Sequence, residues 1–153
     1  MPLAGLISDT HGLLRPEAVH ALEGSDLIVH AGDVGAPEIL EALRAVAPVV
    51  AIRGNVDTGA WATALPATAV AEIGGTLIYV LHDLHELDLD PAAAGFAIVV
   101  SGHSHQPGST ERHGVLYINP GSAGRRRFKL PVTLARLDLS RRPWQVEFVD
   151  LDK

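Results

Sequence analysis

The sequence predicts an α/β protein, and three observations carry that expectation. In the first third, short apolar runs alternate with stretches that open on proline and repeat at helical spacing. Each of these apolar runs stops at a polar cluster built from Gly, Asp, His or Asn. In the second half, paired runs flank short turn sequences, which adds antiparallel pairing to the sheet.

Taken in order, Leu3–Ile7 reads as a buried strand, cut off by Ser8-Asp9-Thr10-His11-Gly12. Pro16 opens a helix that continues over 17–23, with Val19 and Leu22 at helical spacing. Residues 26–29 form a second strand, stopped by His30-Ala31-Gly32-Asp33. Pro37 opens a second helix that places Ile39, Leu40, Leu43 and Val46 on one face. Residues 49–52 form a third strand, ending at Arg53-Gly54-Asn55. Strands this apolar suit a sheet covered on both faces. Thr68–Ile73 and Thr76–Leu81 flank Gly74-Gly75, a hairpin signal. Residues 97–100 form a further buried strand leading into Gly102-His103-Ser104-His105. Residues 109–112 and 115–118 flank His113-Gly114, and 132–139 and 145–151 are joined across Arg141-Arg142-Pro143. Three hairpins imply mixed sheet. The sequence shows no internal repeat, low-complexity tract or linker.

Length and composition narrow the function. At 153 residues and 47% hydrophobic content, the chain suits one sizeable core and falls short of two, so a single domain over 1–153 is expected. Cysteine is absent, which excludes disulfides, thiolate metal sites and a cysteine nucleophile. Any metal must be held by His, Asp, Asn or Glu, which predicts a mixed nitrogen and oxygen site for a divalent ion. The formal charge of −6 argues against a broad nucleic-acid surface, although Arg125-Arg126-Arg127 forms one basic cluster that could steer an anion. The N-terminus has no signal-peptide pattern, and no apolar run reaches the ~18 residues of a membrane span. A cytoplasmic protein without membrane association is expected, and a small homo-oligomer is left open.

The polar clusters carry the chemistry. Asp9, His11, Asp33, Asn55, His82, His103 and His105 all follow the C-terminal ends of apolar strands. In open α/β sheets, sites form outside those ends, so strands sharing a sheet would bring all seven groups to one edge. Each piece alone has an ordinary reading as a turn, a cap or a strand-end histidine. Together they suit two divalent cations about 3.5–4 Å apart, bridged by a carboxylate. Water shared by such a pair becomes hydroxide near neutral pH, and the cations neutralise charge growing on a phosphoryl group.

In order and spacing, these residues resemble the calcineurin-like metallophosphoesterase superfamily, whose pattern runs D-x-H, G-D, G-N, His, G-H-x-H. The chain offers Asp9-Thr10-His11, Gly32-Asp33, Gly54-Asn55, His82 and Gly102-His103-Ser104-His105. Gly54-Asn55-Val56-Asp57, Asn119-Pro120-Gly121-Ser122 and the small size are similar to its compact YfcE-like phosphodiesterase branch. The resemblance implies a four-layer αββα sandwich, with two mixed sheets packed face to face and flanking helices. It implies that Asp9, His11 and His105 hold one metal and that Asn55, His82 and His103 hold another. Asp33 would bridge the two, with Asp33 and Asn55 the catalytic residues around a bridging hydroxide. Manganese is the expected metal, with iron, nickel, cobalt and zinc as alternatives, and a small phosphodiester is the expected substrate.

Two departures bear on activity. Many members of the superfamily carry a histidine after the Asn, where this chain has Val56, which cannot protonate a leaving group. The branch usually shows His-Gly-His at the fourth motif, where this chain has His82-Asp83-Leu84-His85. A phosphomonoesterase or nucleotidase, and a non-catalytic scaffold on the same fold, are the alternatives. Arg53, Asp57, His85 and His30 are candidates for substrate contact or for supporting the metal-binding groups. Arg53 would meet phosphate, His85 would donate a proton, and Asp57 and His30 would orient ligands. Trp61 and Trp144 read as packing residues.

Overall fold

The computed structural model describes residues 2–126 and 129–152. Its elements in chain order are β1 (Leu3–Ile7), α1 (Pro16–Leu22), β2 (Leu27–His30), α2 (Pro37–Arg44), β3 (Val49–Ala51), β4 (Thr68–Ile73) and β5 (Thr76–Leu81). There follow α3 (Pro91–Ala94), β6 (Ile98–Val100), β7 (Gly108–Arg112), β8 (Val115–Asn119), β9 (Thr133–Asp138) and β10 (Val146–Asp150). Short 3-10 turns at Ala60–Ala64 and Leu84–Glu86 lie between them.

The strands form two five-stranded mixed sheets. The first runs β10-β9-β1-β2-β3, with β1, β2 and β3 parallel and β9 and β10 antiparallel at one side. The second runs β4-β5-β6-β8-β7, with β5, β6 and β8 parallel between two antiparallel edges. All three expected hairpins are present. Gly74 and Gly75 both adopt positive φ, as do His113 and Gly114, so both two-residue turns match the twist of their strands.

Alternation along the strands assigns the layers. Ala4, Leu6 and Val29 of the first sheet meet Ile78, Val80, Ile98 and Val100 of the second in one buried cluster, so the sheets pack face to face. Ile7 and Ile28 point the other way and pack under α1 and α2 through Leu22, Ile39, Leu40 and Leu43. The second sheet's outer face is covered through Tyr79, Leu81 and Val99 by Leu84, Leu87, Leu89 and Phe96. The architecture is therefore the expected αββα sandwich, but its last layer is thin: a 3-10 turn and the four-residue α3. Neither gave a periodic signal in the sequence, because segments this short span barely one turn. Trp61 and Trp144 pack against the cores, as expected.

Candidate metal centre

The seven donor residues ride on loops beyond strand ends: Asp9 and His11 after β1, Asp33 after β2, Asn55 after β3, His82 after β5, and His103 and His105 after β6. The sequence would bring them to one edge if their strands shared a sheet. The structure divides them between two sheets, and Asp9, His11, Asp33, His82 and His105 converge across the sandwich. The loops are stitched together by main chain. Asp9 N donates to Gly32 O (3.0 Å), His11 N to Asp33 O (2.9 Å), and Gly102 N to His82 O (2.9 Å).

The cluster is tight. Asp9, His11 and His105 each offer a donor atom within 4.8 Å of the others, and so do Asp9, Asp33 and His82. His105 Nε2 lies 3.3 Å from Asp9 Oδ1, and His82 Nε2 lies 3.1 Å from Asp33 Oδ2. His11 Nε2 stands 3.7 Å from Asp9 Oδ1 and 3.6 Å from Asp33 Oδ2. Asp33 Oδ2 thus sits between a histidine of one triad and a histidine of the other. His103 is more exposed, its ring edge-on to that of His82 with centroids 5.2 Å apart. Asn55 is exposed beside Val56, whose amide donates to Asp33 Oδ1 (3.0 Å).

The second atoms of Asp9, Asp33 and His82 are already occupied. Asp9 Oδ2 accepts from Ser8 Oγ (2.7 Å) and from the His103 amide (3.1 Å). His82 Nδ1 faces the Ala31 carbonyl at 2.7 Å, which fixes that nitrogen as a donor and makes Nε2, turned to Asp33, the nitrogen that a cation could take. Asp9 Oδ1, His11 Nε2 and His82 Nε2 are buried without a hydrogen-bond partner. Buried unpaired polar atoms are costly, and here they are all good ligands aimed at one another. This set fits divalent cations of the borderline type that accept imidazole and carboxylate together.

Electrostatics agree. Burial would raise the Asp9 carboxyl, but the adjacent His105 and His11 imidazoles and the Ser8 hydrogen bond outweigh it and hold the group well below the usual carboxylate range. Asp33 is likewise lowered, against burial, by His82 and the Val56 amide. Burial would lower His82, yet the Asp33 carboxylate and the Ala31 carbonyl push it up to about 9. The carboxylates thus stay charged and draw positive charge toward them.

Backbone geometry sets the site apart. Asp9, His11, Asp33, His103 and His105 all adopt positive φ, between 48° and 72°. Such conformations cost of order 1–3 kcal/mol each for non-glycine residues, and they concentrate at functional sites. Close approach explains two motif glycines. A Cβ on Gly102 would collide with Ser8 Oγ and lie 2.6 Å from Asp9 Oδ2, and one on Gly54 would collide with the Asp33 amide and carboxylate.

The four supporting candidates take different places. His30 is fully buried, its Nε2 at 3.0 Å from Thr10 Oγ1, while Nδ1 accepts from Gly32 N (3.1 Å). Thr10 Oγ1 donates onward to Val34 O (2.8 Å), so His30 carries its proton on Nε2. It braces the two aspartate loops through Thr10 and the backbone rather than orienting a donor side chain. Asp57 accepts from the amides of Val34 (3.0 Å), Gly35 (2.9 Å) and Gly54 (2.9 Å), clamping the β2 and β3 loops together; among the described hydrogen bonds it meets no histidine. Arg53 donates to the Leu65 carbonyl (2.8 Å). His85 is almost fully exposed, its ring turned to Asp83 Oδ1 at 3.1 Å. Asp83 instead faces the site, its Oδ2 3.8 Å from His103 Nε2. Of the basic cluster, Arg126 pairs with Asp152, Arg125 is exposed, and Arg127 lies outside the described residues.

Sequence reasoning missed several supports. Ser122 Oγ donates to Asp9 O (3.0 Å), and Asn119 Nδ2 donates to Gly102 O and Ser104 Oγ, both at 3.0 Å. Ser8 and Thr10 lie inside the first motif, but hydroxyls there read equally well as turn residues.

Fold and site together define a class: an α/β sandwich with an Asp/His cluster arranged for divalent cations between its two sheets. The chain belongs to the calcineurin-like phosphoesterase superfamily, whose domain model matches residues 3–142. It is 38% identical over 133 residues to a probable metallophosphoesterase of Methanocaldococcus jannaschii, covering 78% of this chain and 67% of that protein. An archaeal phosphodiesterase shares the fold with TM-score 0.79 at 23% identity, over 96% of this chain and 99% of the other. The phosphoesterase Yfce from E. coli gives TM-score 0.74 at 22% identity, over 98% and 93%. Vps29 of Chaetomium thermophilum gives 0.78 at 18% identity, over 97% of each chain.

Proposed function

We propose that the chain is a cytoplasmic, metal-dependent phosphodiesterase acting as one metallophosphoesterase domain. In this reading Asp9, His11 and His105 hold one divalent cation, Asn55, His82 and His103 hold a second, and Asp33 reaches both. The reading rests on one observation above all, the convergence of unpartnered Asp9 Oδ1, His11 Nε2 and His82 Nε2 across the two sheets. Manganese is the first metal to test, with iron, nickel, cobalt and zinc behind it.

A bound cation pair supplies an activated water and neutralises charge at phosphorus. The chain's own residues do the rest. Ser8 and the His103 amide hold Asp9 by Oδ2, so Oδ1 points inward. The Val56 amide does the same for Asp33 by holding Oδ1, beside the catalytic Asn55. The Ala31 carbonyl keeps the His82 proton on Nδ1.

Val56 is exposed next to Asn55 and cannot donate a proton. A general acid is worth ~10²–10⁴-fold, so diesters with good leaving groups should be the better substrates. The test is hydrolysis of bis-p-nitrophenyl phosphate by chelator-stripped protein, with Mn²⁺ restored and Asp33→Asn run alongside. Activity should return with metal, exceed that on p-nitrophenyl phosphate, and fall below detection in the variant. Full metal-dependent activity in Asp33→Asn would overturn the site. No turnover with any of the five metals would favour a scaffold instead.

A further inference from the structure

A cleft of ≈ 380 Å³ opens directly beside His103, at the C-terminal ends of β6 and β8. Leu84, Pro107 and Tyr117 supply apolar surface, and Gln106 and Thr110 supply polar edges. Thr110 stands opposite Tyr117 across the β7–β8 ladder. The volume lies in the range of small-ligand sites, ~300–1,000 Å³, and fits an aryl group or a nucleoside-sized alcohol. The cleft adjoins the candidate metal centre: His103 belongs to its wall, and Gly102 beside it packs on Ser8 and Asp9 from the other side.

Its charge is one-sided. Asp83 lines the cleft with its side chain about one-quarter exposed, and its Oδ2 lies 3.8 Å from His103 Nε2. Among the described residues lining the cleft there is no Lys or Arg. The nearby Arg112 guanidinium lies over the Tyr117 ring, 5.6 Å from its centroid, two positions nearer the hairpin turn and outside the lining. A second anionic group entering here would meet the Asp83 carboxylate, whose described partners are the exposed His85 amide and ring and, at 3.8 Å, His103, with no Lys or Arg; a neutral or cationic group would meet no like charge.

We propose that this cleft is the subsite for one organic group of the phosphodiester, and that Asp83 makes it select an uncharged or cationic group over an anionic one. The inference rests on the phosphodiesterase reading for its substrate, and it is tested so that the two can fail separately. Thr110→Trp places an indole beside Tyr117 on an exposed edge strand, where the fold tolerates it. In the Mn²⁺-loaded protein, this variant should raise KM for bis-p-nitrophenyl phosphate about tenfold while kcat changes less than about twofold, the signature of lost uniform binding. Between bis-p-nitrophenyl phosphate and its analogue with one p-nitro group replaced by p-carboxylate, the wild type should favour the former about tenfold or more in kcat/KM. Asp83→Asn should narrow that ratio several-fold. Independently of turnover, 4-nitrobenzyl alcohol titrated into Mg²⁺-loaded protein should shift the amides of Gln106, Thr110 and Tyr117, and Thr110→Trp should abolish those shifts. An unchanged KM in an active Thr110→Trp variant, an unchanged ratio in Asp83→Asn, or no amide shifts would overturn the subsite. If the wild type cleaves no diester, the phosphodiesterase reading falls, and the amide shifts alone decide whether the cleft binds such a group.

Discussion

Single residues in this protein are placed where their chemistry is needed rather than where their backbone prefers to be. Five of the seven candidate ligands occupy the left-handed region, and all five are Asp or His, which tolerate it better than β-branched residues. The sequence showed those residue types at strand ends, but it could not show the dihedrals, because Asp and His also sit in ordinary turns. His30 was legible only as a strand-end residue with a possible supporting role. Its value comes from full burial among Thr10, Gly32 and the aspartate loops, and a spacing rule cannot supply that. Burial lowers His30 from 6.5 to about 4 against the raising pull of Asp9 and Asp57. The folded state keeps the ring neutral while the unfolded chain takes up a proton below pH 6.5. Its contribution is therefore complete above that pH and is lost as pH falls toward 4, by about 3 kcal/mol in all. Urea denaturation at pH 7 and pH 5 should show about 2 kcal/mol of this loss, and His30→Gln should have a shallower dependence. An equal slope in the variant would assign the acid sensitivity to other groups.

Elements were the most readable scale. Strand and helix positions agree with the sequence expectation to within a residue or two, since apolar runs, Pro-opened helices and Gly-Gly or His-Gly turns each have a local cause. The 83–96 crossover was not read, because one-turn segments carry no period. Between elements, the Asp57 carboxylate is the clearest device: three amides from the β2 and β3 loops converge on it. Asp57→Ala would leave those donors without their partner, at ~1–3 kcal/mol for each buried group that water fails to reach. We expect a loss of about 3 kcal/mol in chemical denaturation, with weaker metal uptake by the loops it joins. A variant with wild-type stability would show that the clamp is redundant.

At the scale of the whole molecule, the site belongs to neither sheet. The motif order in the sequence pointed to convergence but left open which strands share a sheet, because a linear pattern does not reveal which strands pair. Since β1–β3 and β5–β6 lie in different sheets, a cation held by Asp9, Asp33 and His82 would join the two layers. Metal binding to the folded state alone stabilises it by about 2.7 kcal/mol at a hundred times Kd. For a chain of this size, that corresponds to a rise in Tm of roughly 5–11 °C. Calorimetry with Mn²⁺ and with chelator should show that difference, and Asp33→Asn should shrink it; equal Tm values in wild type would argue against tight metal uptake.

The face-to-face packing of Leu6 and Val29 on Val80 and Val100 has a consequence beyond holding the sheets together. Because the donors on one side of the site are anchored to one layer and those opposite to the other, the thickness of this interior is the ruler for the distance between them. Methyl groups buried between the sheets thereby help to set the spacing of the candidate ligands. Sliding or thinning that interior would detune the chemistry without touching a single ligand.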